Sequence, residues 1–222
     1  MFAEPVPPTQ PNDEIWYTTN NNQAITIDPE YVEEYFDKPM LSNTYSDGKG
    51  IIKFDGDLTG ILDGFSFITD DYAHITSIQL PESVTSLVNY YDFANCNNLV
   101  SVKLPTNYTG VIGESAFNGC YRLESIEIPE GVTHIIEAAF GGCSSLTTVT
   151  IPSNVGGIGY GAFLGCSSLE SIICEPTTPP VVGGDVFEDT NDCPIYVPAE
   201  SVNAYKTAEG WTEYAGRIQA IQ

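Results

Sequence analysis

The residues of this chain with the greatest chemical potential are its six cysteines and two histidines. Thiolates and imidazoles are common nucleophiles, bases and metal ligands. Four of the cysteines, Cys96, Cys120, Cys143 and Cys166, recur at a fixed spacing. Such a row aligns its side chains along a stack, whereas zinc needs ligands converging on one point, so the row is expected to be free, packed thiols. Cys174 and Cys193 stand outside the row, and for them a mutual disulfide and two free thiols both stay open. A Ser-His-Asp or Cys-His site would have to be built around His74 or His134. His134 occupies a position held by Ser86 and Gly157 in neighbouring blocks, which marks it as a variable residue.

Other signals are weaker. Gly156-Gly157-Ile158-Gly159-Tyr160-Gly161 lacks the Gly-x-Gly-x-x-Gly order of a phosphate loop. Asp55, Asp57 and Gly60 resemble the opening of a calcium loop, but no bidentate acid follows at the required place. The acids Asp185, Glu188, Asp189 and Asp192 are expected to be solvated, and Asn107-Tyr108-Thr109 matches a glycosylation sequon. Carboxylates are so plentiful, 30 in all, that no single pair stands out as an acid and base. No catalytic residue, metal or cofactor is called for.

With 30 acidic residues against 7 basic ones, the net charge of -23 repels phosphates, arguing against nucleic acid and anionic membrane surfaces. No apolar run approaches the roughly 18 residues that cross a bilayer, so direct membrane insertion is not expected. Met1 to Gln10 has neither the basic start nor the apolar stretch of a secretory signal. Pro5, Pro7, Pro8 and Pro11 instead suggest an extended tether over residues 1–12. The expectation is a mature chain whose leader has been removed, working outside the cell or on its surface.

The elements that must position these residues emerge from an internal repeat. Phe93, Phe117, Phe140 and Phe163 are separated by 24, 23 and 23 residues, and the four cysteines keep the same steps. Leu99, Leu123, Leu146 and Leu169 follow in register, and Pro81, Pro105, Pro129 and Pro152 each close a short alternating segment. Alternation of period two sends Ile126 and Ile128 inward and Ser125 and Glu127 outward. Proline lacks an N–H, so it ends each strand at one level of the stack. A second apolar set, such as Val132 and Ile135, followed by Ala139-Phe140 and a turn at Gly142, fills the opposite wall.

The pattern written by Ile126 through Leu146, Ile-x-Ile-Pro-x-x-Val-x-x-Ile-x-x-x-Ala-Phe-x-x-Cys-x-x-Leu, resembles the leucine-rich repeat of BspA-like bacterial surface proteins. The resemblance implies a leucine-rich-repeat solenoid, mainly β with short strands and turns, about 23–24 residues per coil, with a short helix in the C-terminal cap. A single domain is expected over 13–222. Residues 13–74 form an N-terminal cap and atypical first coil, 75–176 the regular repeats and 177–222 the C-terminal cap. Glu14 to Thr18 and Ser42 to Tyr45 resemble the opening segments of this family, and Phe54-Asp55-Gly56-Asp57 its first coil. Capping is required because bare ends would expose apolar surface and unpaired strand edges. A helix from Pro198 through Lys206 and a last strand at Ile218 to Ile221 suit the C-terminal end, and a helical piece over Asp28 to Phe36 the N-terminal end.

Stacked strands present their outward residues as one sheet: Ser77 and Gln79, Ser101 and Lys103, Ser125 and Glu127, Thr148 and Thr150, Ser171 and Ile173. These vary from coil to coil while the inward positions repeat, a pattern shared by ligand-binding faces and ordinary solvated sheet. Tyr90, Tyr91, Tyr108, Tyr121 and Tyr160, on turn or back-wall positions, offer a second surface. The family resemblance implies an adhesin with a protein or glycoprotein partner, such as a host extracellular-matrix glycoprotein or another cell, and the chain is expected to be a monomer. The alternative is a structural or glycan-recognising protein of the producing cell's envelope. An enzyme ranks third.

Because coils share their core, removing one inward side chain should weaken the whole stack. Leu123→Ala is expected to cost about 2–5 kcal/mol. Thermal melting checks this: an unchanged midpoint would show that Leu123 lies outside the core.

Overall fold

A computed structural model describes residues 9–27, 32, 36–61, 73–85 and 92–222. The repeat winds into a β-solenoid of about six turns. Each coil supplies one strand to a front face, and most supply another to a back wall. The front strands are β4 (Ile75–Gln79), β5 (Ser101–Lys103), β7 (Ser125–Ile126), β9 (Thr148–Ile151), β11 (Ser171–Cys174) and β13 (Ile195–Val197). The back wall is a four-stranded parallel sheet of β6 (Thr109–Ile112), β8 (Gly131–Ile135), β10 (Gly157–Ile158) and β12 (Val181–Val182). The period-two alternation is realised as expected: Val149 and Ile151 are buried while Thr148 and Thr150 are exposed. Val132, Ile135, Val155 and Ile158 close the core from the other side.

Between the two walls runs a ladder of phenylalanines. Phe93, Phe117, Phe140 and Phe163 stack with ring centroids 5.2, 5.3 and 5.2 Å apart and planes within 10° of parallel. Such pairs add about 0.5–1.5 kcal/mol each beyond the area they bury. Beside the ladder, each backbone N–H reaches the next coil, as in Phe117 N to Ala139 O at 2.7 Å and Phe140 N to Ala162 O at 2.8 Å. The cysteine row is packed and free, and the thiols of Cys120, Cys143 and Cys166 each point at a phenylalanine carbonyl one coil back, 3.1–3.2 Å away. A small buried residue with a weak donor fits this slot.

The ladder continues beyond the regular repeats. Phe187, 24 residues after Phe163, stacks on it at 5.7 Å. Thr190 and Cys193 then stand where earlier coils have Cys and Leu, so Val186 to Cys193 is one more, altered copy. Trp211, a further 24 residues on, closes the ladder with a ring tilted 49° to Phe187, and Tyr214 meets Phe187 edge-on. Their polar ends are satisfied: Trp211 Nε1 donates to Pro180 O at 2.8 Å, and Tyr214 OH accepts from Phe187 N at 3.3 Å. A 3-10 turn, Ala199–Ser201, leads into the helix Val202–Thr207, and β14 (Ile218–Ala220) adds parallel to β13. The helix and last strand lie where the sequence places them.

The N-terminal end is built differently. β1 (Glu14–Thr19) lies antiparallel between β4 and β3 (Lys49–Phe54), and β3 pairs antiparallel with β2 (Met40–Ser46). The Asp47-Gly48 turn that joins β2 and β3 has positive φ at both residues, 51° and 79°, as a tight two-residue hairpin requires. Phe54 therefore ends the second strand of a hairpin, opposite Met40. Gln10 clasps this end, its amide donating to Glu14 O at 2.7 Å and Gln79 O at 3.0 Å. The helical piece expected over Asp28 to Phe36 and the prolines up to residue 8 lie outside the described residues, except Val32 and Phe36, which are buried.

One turn position adopts the left-handed region in five successive coils: Asn95, Gly119, Gly142, Gly165 and Asp189 have φ of 60°, 73°, 73°, 74° and 55°. Glycine reaches this region without penalty and Asn or Asp at modest cost, whereas alanine there costs about 1–2 kcal/mol. Gly142→Ala should lower stability by that amount and Gly142→Asn by clearly less. Urea unfolding of the two variants checks it, and equal losses would mean that space, and not the backbone angle, selects the residue.

Candidate functional site

The front face brings the predicted outward residues together in register. Ser77 lies opposite Ser101 and Ser101 opposite Ser125, while Gln79 lies opposite Lys103. Beyond β7 the ladder breaks, giving a six-stranded sheet ordered β2-β3-β1-β4-β5-β7 and a four-stranded one ordered β14-β13-β11-β9. Across β9 and β11, Thr148 faces Ser171 and Thr150 faces Ile173. Ser101, Lys103, Ser125, Glu127, Thr148 and Thr150 are exposed, and Ser77, Gln79, Ser171 and Ile173 are half-buried. At the break a groove of about 610 Å³ opens, lined among others by Lys103, Glu127 and Thr150.

The hairpin cap extends this face with residues that the repeat does not reveal. Trp16 pairs with Gln79 and Thr18 with Ser77, so both lie on the same surface as the outward serines. Thr18 Oγ1 is 2.7 Å from Ser77 Oγ. Trp16 Nε1 donates to Glu14 Oε2 at 2.8 Å, which fixes the indole, and Lys49 Nζ lies 2.8 Å from the indole ring centroid. The ammonium is attracted by the ring's negative face. Burial lowers the Lys49 pKa, with Glu14 opposing. Trp16, Thr18, Lys49, Gln79 and Lys103 line a second groove of about 430 Å³, continuous with the first through Ser101 to Lys103. One signal was present: in Glu14-Ile15-Trp16-Tyr17-Thr18 the inward Ile15 and Tyr17 force Trp16 outward.

The tyrosine surface is not assembled as expected. Tyr108 is buried, its hydroxyl donating to Val111 O at 2.6 Å, and Tyr90 and Tyr91 lie outside the described residues. Tyr121 and Tyr160 are about half exposed, and Tyr160 OH donates to Asp185.

Among the other residues singled out, His74 Nδ1 meets Asn20 Oδ1 at 2.9 Å and His134 Nδ1 meets Thr133 Oγ1 at 3.2 Å. Neither ring meets a carboxylate in these contacts. Gly157 pairs with His134 and Ile158 with Ile135, so the middle of the glycine-rich segment is the back-wall strand β10. Among the described residues, no three His, Cys, Asp or Glu side chains group where a metal ion could sit.

The structure does not make the Cys174–Cys193 pairing. Ile172 lies opposite Ile195 in the parallel register, which leaves Cys174 two residues beyond that pair and Cys193 two residues before it. The offset is roughly 13 Å at about 3.3 Å per residue, well past the span a disulfide bridges. Cys174 Sγ instead lies 3.3 Å from Tyr205 OH, and Cys193 Sγ lies 3.5 Å from Arg217.

Comparison with known proteins agrees with this geometry. The family model described as a BspA type leucine rich repeat region matches residues 68–193 in six copies. The chain is similar to a solved leucine-rich-repeat protein of T. pallidum, with 26% identity and a TM-score of 0.52 over 73% of this chain and 72% of that one. It is also similar in fold to the pneumococcal vaccine antigen PcpA, with 19% identity and a TM-score of 0.52 over 81% of this chain and 46% of that one. No curated protein matches.

Burial pushes the thiols of Cys96, Cys166 and Cys174 from the ordinary 9.0 up to about 12, and those of Cys120 and Cys143 well above 9.0. Cys193 is raised by burial too, with Arg217 opposing. A thiol whose pKa is higher folded than unfolded contributes stability that is whole below pH 9 and is lost as pH rises toward 12. The folded chain should accordingly resist thiol reagents at pH 8 and lose stability above pH 9, while all six thiols react once it is denatured without reductant. Four reactive thiols would restore the disulfide.

Proposed function

We propose that this chain, which belongs to the BspA-type leucine-rich-repeat proteins, is a non-catalytic binding module that acts outside the cell or on its surface. Its front face adheres to a host extracellular-matrix glycoprotein or to another cell. The observation that carries this reading is the face itself: outward residues from successive coils stand in register on one rigid frame, half-buried or exposed, and no element of the described chain covers them. A surface held on packed strands meets a partner with little ordering cost, which favours binding. The description of the pneumococcal relative as a vaccine antigen fits a place on the outside of a cell.

Purified chain should bind saturably to a component of a panel of immobilised matrix glycoproteins, assayed with and without calcium. A double variant, Lys103→Glu with Glu127→Lys, leaves the net charge unchanged but inverts the face locally. It should weaken binding by about tenfold, roughly 1.4 kcal/mol. No binding to any component would sink matrix adhesion, and binding that ignores the double change would move the site off the front face.

A further inference from the structure

The N-terminal part of the front face differs in charge from the rest of the molecule. The chain carries 30 acidic and 7 basic residues, yet Lys49 and Lys103 both line the groove of about 430 Å³. Among the described residues neither makes an ion pair, whereas Lys53 is held by Asp13 and Glu14 at 3.4 and 3.8 Å. A locally cationic groove in a chain of net charge -23 is suited to an anionic partner.

The spacing of the charges narrows its chemistry. Lys49 on β3 and Lys103 on β5 are separated by β1 and β4, three strand steps or roughly 14 Å at about 4.8 Å each. Anchored that far apart, the two lysines can each meet a separate anionic group, and a densely charged chain would be driven off by the surrounding carboxylates. Carboxylates set at intervals along a linear molecule meet both conditions.

From β1 across to β7 runs a row of hydroxyls, Thr18, Ser77, Ser101 and Ser125, one per strand and in register, with Lys49 at its β3 end and Lys103 on β5. Each hydroxyl both donates and accepts, as sugar hydroxyls do, and the step between strands is comparable to the length of one pyranose ring. The indole of Trp16 is held by Glu14 and carries the Lys49 ammonium over its ring, and being only half-buried it keeps apolar surface beside that ammonium against which a sugar can lie. An extended peptide would seek open backbone donors and acceptors, but β1, β4 and β5 are each paired on both sides.

We propose that this groove binds a linear polysaccharide carrying carboxylates at intervals, a uronic-acid polymer, laid across the strands with its carboxylates on Lys49 and Lys103 and one sugar against Trp16. The proposal rests on the front face being the binding surface, and it names the partner's chemistry.

Hyaluronan oligosaccharide is the probe, with dextran as a neutral chain and poly-glutamate as an acidic peptide. Trp211 is fully buried, so a change in tryptophan emission on titration reports Trp16, and calorimetry gives an independent affinity. Hyaluronan should bind saturably, more weakly as salt rises, and at least tenfold more weakly to Lys49→Gln/Lys103→Gln and to Trp16→Ala, with melting midpoints unchanged as the folding control. Dextran and poly-glutamate should bind far more weakly. The proposal is overturned by absence of hyaluronan binding, by variants that bind it as the parent does, or by either control polymer binding equally well. If hyaluronan fails while a matrix glycoprotein binds and is lost on Lys103→Glu/Glu127→Lys, the front face stands as the binding surface and only the polysaccharide is removed.

Discussion

The step from one coil to the next is the constraint on which the rest of this molecule depends. A strand of two to five residues satisfies few of its own polar groups, so its N–H and C=O groups must be met by the coils above and below. The phenylalanine ladder holds that step at 5.2–5.3 Å through the regular repeats. The backbone bonds beside it, such as Gly119 N to Gly141 O at 2.8 Å, have the same register. A side chain at the ladder position therefore sets the pitch of the front face as well as filling the core. This is why the front-face serines fall opposite one another without being in contact with the ladder.

A ladder also has to end, and the two ends solve this in different ways. At the C-terminus the repeat is kept and its residues are altered. Trp211, Tyr214 and Arg217 follow Phe187, Thr190 and Cys193 at 24-residue spacing, and the larger side chains turn across the stack. Arg217 donates to Cys193 O at 2.8 Å and to Thr190 Oγ1 at 2.8 Å, occupying acceptors that a following coil would otherwise meet. At the N-terminus the parallel winding is abandoned for an antiparallel hairpin sheet. Tyr17 is buried there, with its hydroxyl donating to Asn43 Oδ1 at 2.6 Å.

The hairpin end changes the chemistry of the front face. Antiparallel strands continue the front face past the first coil, and they bring a different set of residues to it. The regular coils contribute mainly short hydroxyl side chains, whereas the hairpin contributes an indole and an ammonium, Trp16 and Lys49. Variation in the cap can thus alter the chemistry of the face while leaving the stacked core undisturbed, a division common to solenoids, whose neighbours interact only locally.

The repeat was legible in the sequence because burial imposes the same residue types at each level: Phe, Cys and Leu recur every 23–24 residues. The alternation that separates inward Val149 and Ile151 from outward Thr148 and Thr150 was equally legible, since side chains on a strand must alternate. The altered copy at Phe187 was obscured because Thr190 and Cys193 replace the residues that define the pattern, although the spacing of 24 is kept. Asp47-Gly48 carried a hairpin signal that a repeat-led search passes over. What no local pattern contained was pairing between distant segments. That Trp16 lies opposite Gln79, that Lys49 sits over Trp16 and that Cys174 and Cys193 are held apart all follow from strand register. Register is fixed by backbone bonds between segments tens of residues apart, so it is decided only when the coils close on one another.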